Sequence, residues 1–315
     1  MDNFIFSINA TVPIFLVIVI GYLLKQCNIL DDHFATVANR FNFKITLPVL
    51  LFKDLASADI LGNFDGTYVV FCMVVTSICF WSIWGLAKLL MKDKTIVGAF
   101  VQASFRGSAA VLGIAFIQNM YGTSGMAPLM ILGAVPLYNI YSVVVLTFES
   151  EHKGDGSQIK TALINIVKNP IIIAIVLGLL GSVLHVFEFM PQIFTKTVNS
   201  IASLATPLAL ITIGVGFEGR RALAKIKPTL VASFIKLILL PMIFLPIAEY
   251  MGFREQKMIA LLIMLGAPTT VSAYIMAKNM DNDGVLTSSI VVVTTLLSSI
   301  TMTWWIYYLR TRGLI

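Results

Sequence analysis

The stretch GAPTTVSAYI, residues 266–275, lies in the middle of an apolar run long enough to cross a bilayer. A proline inside a helix removes a backbone hydrogen bond and clashes with the preceding turn, at a cost of ~3 kcal/mol. Two threonines and a serine beside it bring polar groups to the depth where a spanning segment meets only hydrocarbon. In lipid every backbone polar group needs a protein or water partner, so the segment reads as a broken helix lining a cavity.

The rest of the chain makes a membrane setting the expectation. Its 315 residues are 58% hydrophobic and 12% charged, with a mean hydropathy of +0.90, whereas soluble chains carry ~25% charged residues. Ten stretches reach or approach the ~20 residues needed to span: 8–24, 34–56, 67–90, 95–120, 126–148, 163–186, 198–217, 228–251, 255–278 and 285–309. The second has Arg40, Lys44, Lys53 and Asp54 near its ends and Pro48 inside, which predicts a bent or half-buried span. The first has Asp2 where a cleavable signal has basic residues, so it is expected to stay in the membrane.

The net charge of +6 reports topology and gives no reason to expect a nucleic-acid partner. Most Lys and Arg residues fall in alternate loops, among them Lys88, Lys92, Lys94, Arg220, Arg221, Lys225 and Lys227. By the positive-inside rule those loops are cytoplasmic and both termini lie outside. Cys27, Cys72 and Cys79 have no metal or redox spacing and are expected as free thiols. His33, His152 and His185 form no ligand cluster, so neither a metal nor a cofactor is expected. Trp81, Trp84, Trp304, Trp305, Tyr307 and Tyr308 sit near span ends and read as an interfacial belt, and Gly214, Gly216 and Gly219 as sites of close helix packing.

Ten spans with both termini on one side divide into two halves of opposite orientation, residues 1–148 and 163–315, joined by a polar linker at 149–162. Three landmarks recur at nearly one spacing: Pro13 with Pro170, Pro48 with Pro207, and the interruption at Gly107 with that at Pro268. Pro48, Pro207 and Pro268 are the expected helix breakers. TLPVLLF at 46–52 resembles TPLALIT at 206–212, and QASFRGSAAVLG at 102–113 interrupts the fourth stretch near its midpoint, as GAPTTVSAY does the ninth. Discontinuous helices at matched places of inverted repeats point to a transporter's binding site.

Charge inside the spans suggests the ligand. Their apolar parts contain no Asp or Glu, while Arg106 falls near the centre of the fourth span and Lys236 near the middle of the eighth. A cation at that depth costs ~2.5–3.5 kcal/mol on insertion scales and must meet carbonyls, water or an incoming anion. Arg106 therefore either bonds the carbonyl end of a broken half-helix or receives an anionic substrate. Lys236 either snorkels, lines a water-filled crevice or binds directly. Gln102, Ser104, Gly107, Ser108, Ala267, Pro268, Thr269, Thr270 and Ser272 complete the candidate substrate pocket.

On FRGSAAVLG (105–113), TLPVLLF and GAPTTVSAY, with its length and five-plus-five plan, the chain resembles a bacterial member of the auxin efflux carrier family, which includes malate and malonate permeases. The resemblance implies an all-α fold like that of bile-acid and sodium/proton carriers, with broken spans 4 and 9 crossing. Spans 1, 2, 6 and 7 would form a dimerising scaffold, and spans 3–5 and 8–10 a transport domain that moves as an elevator in the plasma membrane. Many relatives carry Asn where this chain has Gly107 and Ser108, which leaves the carboxylate contact to Arg106 or Ser108. The expected function is carriage of small organic anions, mono- or dicarboxylates, coupled to protons, to sodium or to neither. The competing readings are a sodium-coupled bile-acid-type carrier and a ligand sensor that transports nothing. An enzyme is not expected, since no acid pair, His-Glu metal motif or Ser with a base lies within the spans.

Overall fold

The computed structural model describes residues 13, 16–57, 65–109, 117, 126–150, 164, 167–217 and 223–315. Most of the predicted linker, most of the first half of span 1, Gly219 and all of span 4 beyond Ala109 except Ile117 lie outside the described residues. Among the described residues every regular element is helical. In chain order these are α1 (Leu16–Gln26), α2 (Asp32–Phe41), α3 (Leu47–Ala56), α4 (Gly66–Leu90), α5 (Val97–Phe105), α6 (Ala127–Phe148), α7 (Pro170–Val183), α8 (Val186–Phe189), α9 (Gln192–Ser203), α10 (Ala205–Val215), α11 (Ile226–Phe234), α12 (Leu240–Tyr250), α13 (Glu255–Gly266), α14 (Val271–Asn279) and α15 (Gly284–Thr311). Among the described residues, six helices or helix pairs are long and apolar enough to cross a membrane: α4, α6, α9 with α10, α11 with α12, α13 with α14, and α15; α1 and α7 are shorter apolar helices.

Local chemistry sets the ends. Asp31, Asp65 and Asp283 each accept a hydrogen bond from the backbone N–H three residues on, capping α2, α4 and α15, and Asn169 caps α7 ahead of Pro170. Lys257 donates to Asp65 at 2.5 Å, tying the start of α4 to α13 and holding the Asp65 carboxyl below the usual carboxylate range. Two helices carry π-helical turns, Asn42–Thr46 ahead of α3 and Ile235–Leu239 ahead of α12. Each precedes a proline, Pro48 or Pro241, whose missing N–H leaves a carbonyl in the preceding turn without its ordinary partner. Pro48 and Pro207, expected as helix breakers, both lie in the first turn of a helical segment, and the chain only changes its hydrogen-bonding pattern before them, in the Asn42–Thr46 turn and at Leu204, where the backbone stays right-handed helical.

The apolar faces divide between protein and lipid. Every residue of α13 from Met258 to Gly266 is buried, as expected of a helix that is apolar all round. By contrast, α4 leaves Val70, Met73, Val74, Ile78 and Trp81 exposed along one side while burying Phe71, Cys72, Val75 and Cys79; it packs on α6, and Phe71 meets the Phe253 ring. Cys72 and Cys79 are free thiols used in packing, and Cys27 is free and exposed. α3 packs on α7 and α9, and α2 on α10. Gly214 lets α10 approach α1 closely: a Cβ there would sit 2.1 Å from the Ile18 carbonyl oxygen. Trp305 departs from the expected interfacial belt. It is buried, and its indole N–H donates to the Leu237 carbonyl in the second π turn, which gives that turn's freed acceptor a partner.

Candidate functional site

The two interrupted segments meet. α5 stops at Phe105 and the chain continues extended through Arg106; α13 stops at Gly266, Ala267 is extended, and α14 starts at Val271 after an extended Thr270. Pro268 accounts for the second stop, because a residue before proline is pushed out of the helical region and proline brings no N–H. The Ser108 N–H donates to the Pro268 carbonyl at 2.8 Å, so the two unwound strands bond directly to each other. Thr269 locks the junction: its hydroxyl donates to the Ala103 carbonyl at 2.7 Å, and its N–H donates to the Thr294 hydroxyl of α15 at 3.1 Å.

Lys236 sits behind this junction, fully buried in the second π turn. Its Nζ donates to the carbonyls of Met264, at 3.0 Å, and Phe105, at 3.4 Å, which belong to the last turns of α13 and α5. A cation at two helix C-termini meets the negative ends of both dipoles. Tyr138 adds its hydroxyl to the Met264 carbonyl at 2.7 Å. Gly107 leaves room for this arrangement, since a Cβ there would lie 2.9 Å from the Lys236 Nζ and 3.2 Å from the Ala267 oxygen.

Arg106 faces the other way. Its guanidinium donates to Ser142 Oγ (3.1 Å), Asn139 Oδ1 (3.1 Å), Ser272 Oγ (2.9 Å) and Met276 Sδ (2.9 Å). All four partners are neutral, and its Nε has none. Only 3% of the residue is exposed. A buried guanidinium held by neutral dipoles keeps most of its desolvation cost, and an anion placed against it offsets that cost.

A crevice opens onto Arg106. Arg106, Gly107, Ser108, Thr270 and Ser272 form its polar wall, together with Asn139 and the Tyr138 ring. The first turn of α14 also lines it through Val271 and Ser272, which brings the positive dipole end of that helix to the crevice. Leu47, Leu50 and Leu51 of α3, with Ala205 and Ala209 of α10, make the other wall largely apolar, and Asp54 and Thr206 line it too.

The other residues expected at the site lie around the crevice without lining it. Ala267, Pro268 and Thr269 frame the junction, and Lys236 braces it. Gln102 and Ser104 are fully buried in α5: the Ser104 hydroxyl donates to the Phe100 carbonyl, and the Gln102 amide reaches only Met276 Sδ, at 3.7 Å. Asn139, Ser142 and Asp54 were missed by sequence reasoning. Asn139 and Ser142 were visible as polar residues three apart in an otherwise apolar span. Asp54 lines the crevice even though the second span ends just beyond it. The apolar parts of the spans lack acids as read, yet one carboxylate reaches the site from a span end.

The sequence profile of the family described as membrane transport proteins matches residues 6–306. An uncharacterized transporter of Methanocaldococcus jannaschii is 22% identical over 303 residues, covering 93% of this chain and 95% of the relative. An uncharacterized transporter of Methanothermobacter thermautotrophicus is 22% identical over 309 residues, covering 96% and 98%. With apolar helices long enough to span and a profile match over nearly its whole length, the chain belongs to the membrane transport protein family, that of the auxin efflux carriers, and is an integral membrane transporter.

Proposed function

We propose that the protein carries small organic anions across the plasma membrane, with the carboxylate held at the junction of the two broken helices. The observation that carries this reading is Arg106: a buried guanidinium with only neutral partners, an unbonded Nε and an open crevice in front of it. The Ser108 and Thr270 hydroxyls and the start of α14 supply further donors for the same anionic group. One cation facing an apolar wall of Leu47, Leu50, Leu51 and Ala209 favours a monocarboxylate with an apolar body over a dicarboxylate such as malate or malonate.

For the mechanism, we propose ten spans in two inverted repeats with both termini outside, and an elevator movement of spans 3–5 and 8–10 against a dimerising scaffold of spans 1, 2, 6 and 7. The crevice lies where such a division would run, with α3 and α10 on one side and the junction on the other. The bonds at Ser108 and Thr269 support movement of the junction as one piece.

Substrate protection tests the location. In a Cys27→Ser background, Ser108→Cys places one reactive thiol on the polar wall, while Cys72 and Cys79 stay buried. Malate, malonate, lactate and indole acetate are then tried as protectants against a small maleimide. Saturable slowing of labelling by one of them is the expected result; equal labelling with and without all four, in protein that unfolds cooperatively, contradicts the site.

A further inference from the structure

The crevice runs unequally along the helices that border it. On α3 it reaches from Leu47 to Asp54, within a turn of the helix end at Ala56; on α10 it covers Ala205, Thr206 and Ala209 and goes no further. About one turn beyond Ala209, a polar network joins α2, α10 and α14, with Asn39, Thr212 and Tyr274 buried in it. The Asn39 amide nitrogen donates to the Tyr274 hydroxyl at 3.3 Å, that hydroxyl donates to the Thr212 carbonyl at 3.5 Å, and the Asn279 amide donates to the Asn39 carbonyl at 3.3 Å. Beside the network lies a small apolar cluster, separate from the main core, of Ile18 from α1, Leu210 and Ile213 from α10, the Tyr274 ring and Val291 from α15. Gly216 leaves room for the phenol, since a Cβ there would lie 3.1 Å from its oxygen.

The bonds along this seam are tighter than those across it. On one side the Thr212 hydroxyl of α10 meets the Asn39 amide oxygen of α2 at 3.0 Å, which leaves the amide nitrogen for Tyr274. On the other, the Asn279 amide is held to the Ile275 carbonyl of its own helix at 2.8 Å. The three bonds between α14 and the α2–α10 pair are 3.3–3.5 Å long, beyond the usual range. Each side is firmly built, and the contact between the sides is loose.

Resting on the proposed division into scaffold and moving unit, and on the topology with both termini outside, we propose that Asn39, Thr212, Tyr274 and Asn279 form the cytoplasmic gate of the carrier. In that topology α2 starts, and α10 and α14 end, at the cytoplasmic face, while α3 ends at the outer one. The crevice is then open to the outside, and the seam shuts it from the cytoplasm. Movement of α14 against α2 and α10 parts the three long bonds and leaves the shorter ones in place. Water entering from the cytoplasm takes over the freed phenol, amides and carbonyls, so the closed and open forms stay close in free energy. Thr212 is a positioning residue of the gate, acting through the Asn39 amide it orients as well as through its own carbonyl.

The test reads access to the crevice from each face and needs no substrate. The full-length chain carrying Cys27→Ser and Ser108→Cys is placed in right-side-out and inside-out membrane vesicles and labelled with a membrane-impermeant maleimide. Tyr274→Phe and Thr212→Val are then added singly, each close in shape to the residue it replaces, with Tyr307→Phe on an exposed tyrosine as control. With the network intact, Ser108→Cys is expected to react faster from the outer face. Tyr274→Phe and Thr212→Val should each raise the cytoplasmic rate relative to the outer one by about three- to tenfold, the worth of one lost hydrogen bond; Tyr307→Phe should leave the ratio unchanged. Reaction from both faces at the same ratio in all the proteins overturns the gate and leaves alternating access standing. Faster reaction from the cytoplasmic face with the network intact overturns the assignment of the closed side. No reaction from the cytoplasmic face in any of the proteins, with outer labelling normal, overturns the movement itself and the gate with it.

Discussion

Arg106 and Lys236 are both buried cations near mid-span, and what stands opposite each one separates their roles. Lys236 meets main-chain carbonyls at two helix ends, a set of acceptors that the fold itself supplies; Arg106 meets neutral side chains and open space. Both residues were legible in the sequence as cations without an acid partner. Which of them would satisfy the carbonyl ends was not, because the carbonyls of Phe105 and Met264 reach Lys236 only when three separate spans converge. Replacing Lys236 by Met removes the cation that meets the Met264 and Phe105 carbonyls and leaves the Phe105 carbonyl without that donor. Lys236→Met should lower stability by roughly 1–3 kcal/mol, seen as a lower melting midpoint in detergent. A midpoint equal to the wild type would show that the lysine does not brace the junction. Asp54 was legible as a residue and not as a site member: its place at a span end hid the fact that its helix face is the one turned to the crevice.

At the scale of elements, prolines and glycines carried the most readable information. Pro268 was read as a break and the helix stops two residues before it; Pro48 and Pro207 were read as breakers and each opens a new helical segment. The π turns were not readable, since one extra residue in a turn leaves no periodic mark in so short a stretch. Gly214 was read as a packing position, and α1 indeed crosses α10 there. Gly214→Ala forces a methyl group toward the Ile18 carbonyl and the Tyr22 N–H, backbone atoms that cannot swing aside. Overpacking of this kind costs roughly 1–3 kcal/mol, so the variant should melt earlier, while Gly85→Ala, with nothing within 4 Å, should match the wild type. Equal melting of both variants would contradict the close α1–α10 approach. One contact bears on movement: the Tyr274 hydroxyl, the Asn39 amide and Thr212 bond α14 to α2 and α10, and the displacement we propose requires these bonds to part.

For the whole molecule, composition was enough to place the chain in a membrane, and the exposed sides of α4 and α7 are rows of large apolar side chains. The meeting of the two broken helices was foreshadowed by their matched mid-span positions, but the partners of Arg106 were not. They come from α6 and α14, far along the chain, and nothing in a single sequence pairs distant spans. The central claim is that this junction moves an anion, and the most direct test is uptake into proteoliposomes. Purified protein would be assayed with labelled malate, malonate, lactate and indole acetate, with and without pH and sodium gradients, beside Arg106→Gln and Arg106→Lys. Saturable uptake of one anion is expected, reduced about tenfold or more in Arg106→Gln and not restored in Arg106→Lys, whose ammonium lacks the planar fork. Saturable uptake that persists unchanged in folded Arg106→Gln, or no uptake of any anion by correctly inserted wild-type protein, would contradict the central claim.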